Sequence, residues 1–129
     1  MYKRQDLGYI GSPFISTNEA NAVDVYKDMI VEGGADDIVT SSLFTGISGN
    51  YLKPSISRAG LDPDNLETAD ASSMNFAGGS SKPKAWKEIW GAGQGIGAIE
   101  SRGPAGALVD RLADEYEAAV KAAVEELTA

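Results

Sequence analysis

The feature that most restricts this chain is the run Gly91-Ala92-Gly93-Gln94-Gly95-Ile96-Gly97, entered from Lys84-Ala85-Trp86-Lys87-Glu88-Ile89-Trp90. Apolar residues three and four apart share one helical face, so Trp86, Ile89 and Trp90 form the anchor of a short amphipathic helix. Alternating glycines after it are expected to take positive φ and lie close against another surface. Gln94 adds an amide donor and acceptor that a bare turn does not need. The packing alternative is a helix C-cap with Gly91 just beyond it, followed by a tight turn. The nucleotide motifs are set aside. No strand precedes these glycines, no helix opens on them, and no Lys-Ser or Lys-Thr pair closes the run.

With 129 residues the chain suits one domain with a modest core. It contains neither cysteine nor histidine. That removes disulfides, thiolate and imidazole metal ligands, and the commonest general base. A net charge of -8 speaks against a nucleic-acid partner. No apolar run approaches the ~20 residues of a membrane span, and the start lacks a secretory apolar region. The expected location is cytoplasmic, with no membrane partner.

Leu7-Gly8-Tyr9-Ile10-Gly11 reads as a short buried strand. Ser16 or Thr17 is placed to cap a helix with Glu19 in its first turn. That helix carries Ala22, Val25, Tyr26, Met29 and Ile30 on one core-facing stripe and stops at Gly33-Gly34. Ile38 to Ser42 is a second short strand. Leu43 to Gly49 is a loop leading into Asn50 to Ile56. Gly60 to Ser81 is mostly irregular and suited to covering a site. Within it Asp62-Pro63-Asp64-Asn65-Leu66-Glu67 lacks the oxygen ligand and the glycine of a calcium loop, which leaves a turn. After Pro104, the residues Leu108, Leu112, Tyr116, Ala119, Val120, Ala123 and Leu127 mark a long packing helix with a charged outer face. Two short strands cannot make a stable sheet alone. The chain therefore reads as the end of a larger α/β domain.

The collected blocks resemble the flavin-dependent nitronate monooxygenases, also called 2-nitropropane dioxygenases. The carriers are Tyr9 to Thr17 with Glu19 to Ala22, Leu43 to Gly46 with Gly49 to Ile56, Ala59 to Leu66, Met74 to Phe76, and Ala85 to Gly97. Their order and spacing, from about Asp6 to the closing helix, carry the likeness. Met1 to Gln5 falls outside it and reads as a non-native start, leaving 6–129 as part of one barrel domain. The resemblance implies the C-terminal portion of an FMN-binding (β/α)8 TIM barrel: the last strand, the helices after it and an irregular lid, so that this chain is mostly helix and loop. A complete barrel takes ~250 residues, so the upstream barrel half would be the missing partner.

The likeness further implies that Leu7 to Gly11 corresponds to the eighth strand. Its tip, Tyr9, Ile10, Gly11 and Ser12, would then cradle the FMN phosphate, at the barrel face where phosphates commonly sit. Pro13 stands where many relatives have arginine. The implied reaction is oxidation of a nitronate by flavin and dioxygen to a carbonyl compound and nitrite. Gly93, Gln94 and Gly95 would close over the flavin edge or the substrate. The family's catalytic histidine lies upstream, so no catalytic residue and no metal ligand is assigned here, and the chain alone is expected to be inactive. Two other readings stand beside this one. An FMN-dependent enoyl-acyl carrier protein reductase would share Gly11-Ser12 but not the Asn50 to Ile56 and Trp86 to Gly97 blocks. A small interaction domain without enzymatic activity would use the Trp-rich loop and fold without FMN.

Overall fold

The structure is a computed structural model that describes residues 8–66 and 88–128. The Met1 to Gln5 start, Trp86, the Met74 to Phe76 block and most of the proposed irregular cover lie outside the described residues. In chain order the elements are α1 (Ser12–Ile15), α2 (Asp24–Glu32), β1 (Ile38–Ser41), β2 (Gly49–Leu52), α3 (Lys53–Arg58) and α4 (Ala105–Thr128). Short 3-10 turns span Ala35–Asp37 and Gln94–Ala98.

β1 and β2 form an antiparallel hairpin in the register Ile38 with Leu52, Val39 with Tyr51, Thr40 with Asn50 and Ser41 with Gly49. The turn region uses Gly46 at φ 76, and its amide donates to the Ser42 carbonyl at 2.8 Å. Phe44 meets Tyr51 edge-on, with ring centroids 4.8 Å apart, so the loop folds back over its own strand. α3 follows β2 directly. Pro54 sits in its first turn, where its missing N–H costs nothing, and Gly60 at φ 83 ends it.

One core joins these pieces. Ile30 of α2, Leu52 of β2, and Ala92, Ile96 and Ile99 of the glycine run are buried together, with Ile15, Tyr26, Met29, Ile38 and Trp90 packed around them. Each aliphatic side chain buried this way contributes about 1.5–3 kcal/mol. Ala92, Ile96 and Ile99 are spaced four and three apart, so the turn at Gln94–Ala98 points one apolar edge inward. Gly33 is forced to be small here. A Cβ on it would stand 2.7 Å from the Met29 carbonyl oxygen and 3.0 Å from Ile96 Cδ1.

Several sequence expectations are corrected. Gly8 to Gly11 form no strand, and Tyr9 and Ile10 are exposed, because no described strand lies beside them to complete a ladder. The second strand is instead Gly49–Leu52, hydrogen-bonded to the expected one. Neither Ser16 nor Thr17 caps α2. Their hydroxyls turn backward, to the carbonyls of Pro13 (2.8 Å) and Phe14 (2.8 Å), and α2 begins at Asp24. Val25, expected in the core, is exposed, whereas Lys27 is buried. The C-terminal limit of α2 at Gly33 and the turn at Asp62 agree with the sequence, the latter closed by the Asp64 amide on Asp62 Oδ1 at 3.0 Å. α4 forms as expected but does not pack as expected: none of its residues is buried, and beyond Leu112 every one of them is exposed.

Candidate functional site

Chain entry into α1 sets the geometry at the proposed phosphate corner. Gly11 precedes the helix with φ -114, and nothing lies within 4 Å of a Cβ built on it. Among the described residues, the amides of Tyr9, Ile10 and Gly11 donate to no protein acceptor. Pro13 follows Ser12 in the first turn, where its ring pre-sets φ. The Ser12 hydroxyl is the fixed point: its Oγ accepts the Gly93 amide at 2.8 Å, across 81 residues of sequence.

That bond brings the two predicted site segments together. The two segments meet at Ser12 and Gly93. Gln94 opens the 3-10 turn with its side chain exposed, and among the described residues its amide makes no hydrogen bond. Gly95 has open space around it. The expected positive φ is not found at these glycines. The described residues with positive φ are Gly46 and Gly60, and the glycine run instead coils into a 3-10 turn driven by burial of Ile96 and Ile99. Close approach does hold at Gly91, where a Cβ would stand 3.1 Å from the Asn50 carbonyl oxygen. There the chain crosses β2: Gly91 bridges Tyr51, and the Leu52 amide donates to the Trp90 carbonyl at 2.8 Å.

Behind this corner stands an aromatic and polar buttress. Tyr26 stacks on Trp90, centroids 5.0 Å apart at 20°, and its hydroxyl donates to the Gly91 carbonyl. Burial pushes the Tyr26 phenol above its ordinary pKa. Buried Ser55 accepts the Trp90 amide at 3.0 Å and donates to the Leu52 carbonyl at 2.8 Å. Arg58 lies over the Trp90 ring, its guanidinium carbon 5.3 Å from the centroid. Trp90 is thus held by α2, β2 and α3 together.

The segment before α2 is held by charges. Lys27 is buried and donates to the carbonyls of Thr17 (2.7 Å) and Asn18 (3.4 Å), which replace its lost hydration. Arg102 reaches Asp24, Asp28 and the Asp24 carbonyl. Glu19, expected in the first turn of α2, instead accepts the Ala105 amide at 2.9 Å, the first of α4. A carboxylate at a helix N-terminus is favoured by the free amides and the dipole there. Sequence reasoning missed these roles. The available signal was Lys27, three residues before Ile30 and so on the core-facing side of α2.

A cavity of about 170 Å³ lies between α1 and the start of α4, lined by Pro13, Thr17, Ile99, Gly103, Leu108 and Arg111. A second of about 370 Å³ borders Val23, Arg58, Glu88 and Trp90. Neither is lined by Tyr9 to Ser12 or Gly93 to Gly95. Gly11, Gly93 and Gly95 are exposed and Ser12 is half-buried, so the corner they form is an open edge. Among the described residues, no group of three or more acidic side chains is placed to hold a metal, and no helix is long and apolar enough to cross a membrane. No family model matches the chain, and neither a curated protein nor a solved structure does.

Proposed function

We propose that this chain is the C-terminal part of an FMN-dependent enzyme of the nitronate monooxygenase type, contributing one phosphate-binding corner and the edge that closes over the flavin. The reading rests on sequence resemblance. The observation that carries it in three dimensions is the hydrogen bond from the Gly93 amide to Ser12 Oγ, which couples the two segments that the resemblance assigns to one ligand. The groups at the corner suit the phosphate end of FMN. Among the described residues the amides of Tyr9, Ile10 and Gly11 are donors without protein partners, the space beside Gly11 is open, and Ser12 keeps its own proton to donate while accepting from Gly93. FMN, when bound, supplies the redox chemistry that takes a nitronate and dioxygen to a carbonyl compound and nitrite.

This chain's residues bind and orient; none is assigned a proton-transfer role. Ser12 and the tip amides would hold the phosphate. Gln94, whose side chain makes no hydrogen bond among the described residues, would present its amide to the flavin edge or to the substrate. The glycines on either side keep bulk away from a flat ring. The upstream barrel would supply the remaining wall and exclude water.

The test is a chimera in which this chain, from Asp6 onward, completes the upstream barrel of a nitronate monooxygenase. The chimera is expected to purify with bound flavin and to release nitrite. Ser12→Ala should lower flavin retention. Gln94→Ala should cut turnover about tenfold or more, as expected for a lost hydrogen bond to a charged group, at unchanged melting temperature. A colourless chimera, or a Gln94→Ala form with full turnover, would remove the reading.

A further inference from the structure

α4 carries an apolar seam that the body does not use. Val109, Ala113, Tyr116, Val120, Ala123 and Leu127 follow one another at intervals of four, three, four, three and four residues. That is the period of a two-stranded coiled coil, which keeps a seam in line with a partner helix. At about 100° per residue these six fall within a narrow stripe. Leu108, which lines the same cavity as Pro13 and Thr17, lies about 100° around the helix from its centre. The seam therefore faces away from the body. Tyr116 is 71% exposed and Leu127 87%.

The border of the seam identifies its partner. The charged residues flanking it are Asp110, Glu117 and Glu126, all acidic. Arg111 is turned onto Glu115 at 3.6 Å, and Lys121 lies about 120° from the seam centre. A second copy would set acidic border against acidic border, within a chain of net charge -8. Two alanines in the seam leave room for large side chains from opposite, which a second copy would fill with alanine again.

We infer that the outer face of α4 docks an amphipathic helix whose apolar stripe of leucine or isoleucine is bordered by lysine or arginine. The seam supplies the contact, and Asp110, Glu117 and Glu126 select a basic partner over an acidic one. This goes beyond the flavin reading and stands without it, because its test uses the chain alone and no cofactor.

The probes are two synthetic peptides matched in length to α4. Both have leucine and isoleucine at the seam positions; one is bordered by lysine and the other by glutamate. Fluorescence anisotropy of labelled peptide gives each affinity, and sedimentation of the chain alone gives its oligomeric state. The lysine peptide should bind at least about tenfold more tightly than the glutamate peptide, and its affinity should fall as salt is raised. Tyr116→Asp, a change at an exposed position, should abolish binding while leaving the circular dichroism of the chain helical. The pair Glu117→Lys with Glu126→Lys should reverse the preference between the peptides. Equal affinity for both peptides, binding of neither, or a dimer of the chain that Tyr116→Asp dissociates would each overturn the inference.

Discussion

Ile96 and Leu127 are both branched aliphatic residues on helical turns in the C-terminal third of the chain, yet Ile96 has lost all solvent contact while Leu127 retains 87%. The turn around Ile96 is a poor helix by composition, since glycine alternates through it. It forms because Ala92, Ile96 and Ile99 have α2 and the hairpin to pack against. α4 is the reverse. Alanine, glutamate and leucine dominate it, so local hydrogen bonds and propensity build the helix with little tertiary help. Tertiary burial shapes one region against its local preference, and local preference shapes the other without burial.

The sharpest way to break that contrast is to empty the core side of it. Ile96→Ala should destabilise the chain by about 2–5 kcal/mol, the range for deleting a fully buried aliphatic side chain, read by urea denaturation. A loss below about 1 kcal/mol would mean that the glycine run is not seated on the core. Next in size is Ser55→Ala. Ser55 joins α3 to the approach of the glycine run, and its removal takes away a part-buried hydrogen bond to the Trp90 amide, so about 0.5–1.5 kcal/mol should be lost. At the small end, Leu127→Ala should change stability by no more than about 0.5 kcal/mol, since exposed positions away from special features rarely do more. A cost near that of Ile96→Ala would show that α4 is covered in solution and would remove the comparison.

The parts legible in the sequence were those built from neighbours in the chain. The end of α2 at Gly33, the strand from Ile38, the Asp62 turn and the extent of α4 each follow from residues within a few positions. What was not legible depends on distant partners. Asn50-Tyr51-Leu52 is too short to show alternation, and it becomes a strand only through its pairing with Ile38 to Thr40. The Leu7 to Gly11 block has the composition of a strand, but its described residues have nothing beside them. Glu19 looks like a first-turn acid of the helix that follows it, and only the folded chain brings the Ala105 amide to it. The candidate site divides the same way. Ser12 and Gly93 were each identifiable as polar or small residues at ends of elements. Their adjacency was not, because no local pattern encodes a contact 81 residues apart.

The crossing at Tyr51 and Gly91 has a consequence for how the chain tolerates change in length. It pins the polypeptide at two distant points, through the bridge itself, the Leu52 amide on Trp90 and Ser55 on the Trp90 amide. Closing a chain between two pinned points carries an entropy cost that depends on the number of residues enclosed. That entropy grows only with the logarithm of length, so doubling the span costs about 0.6 kcal/mol. The pinned ends are therefore specified stringently by their hydrogen bonds, while the closure term alone changes little with the number of residues inserted between them.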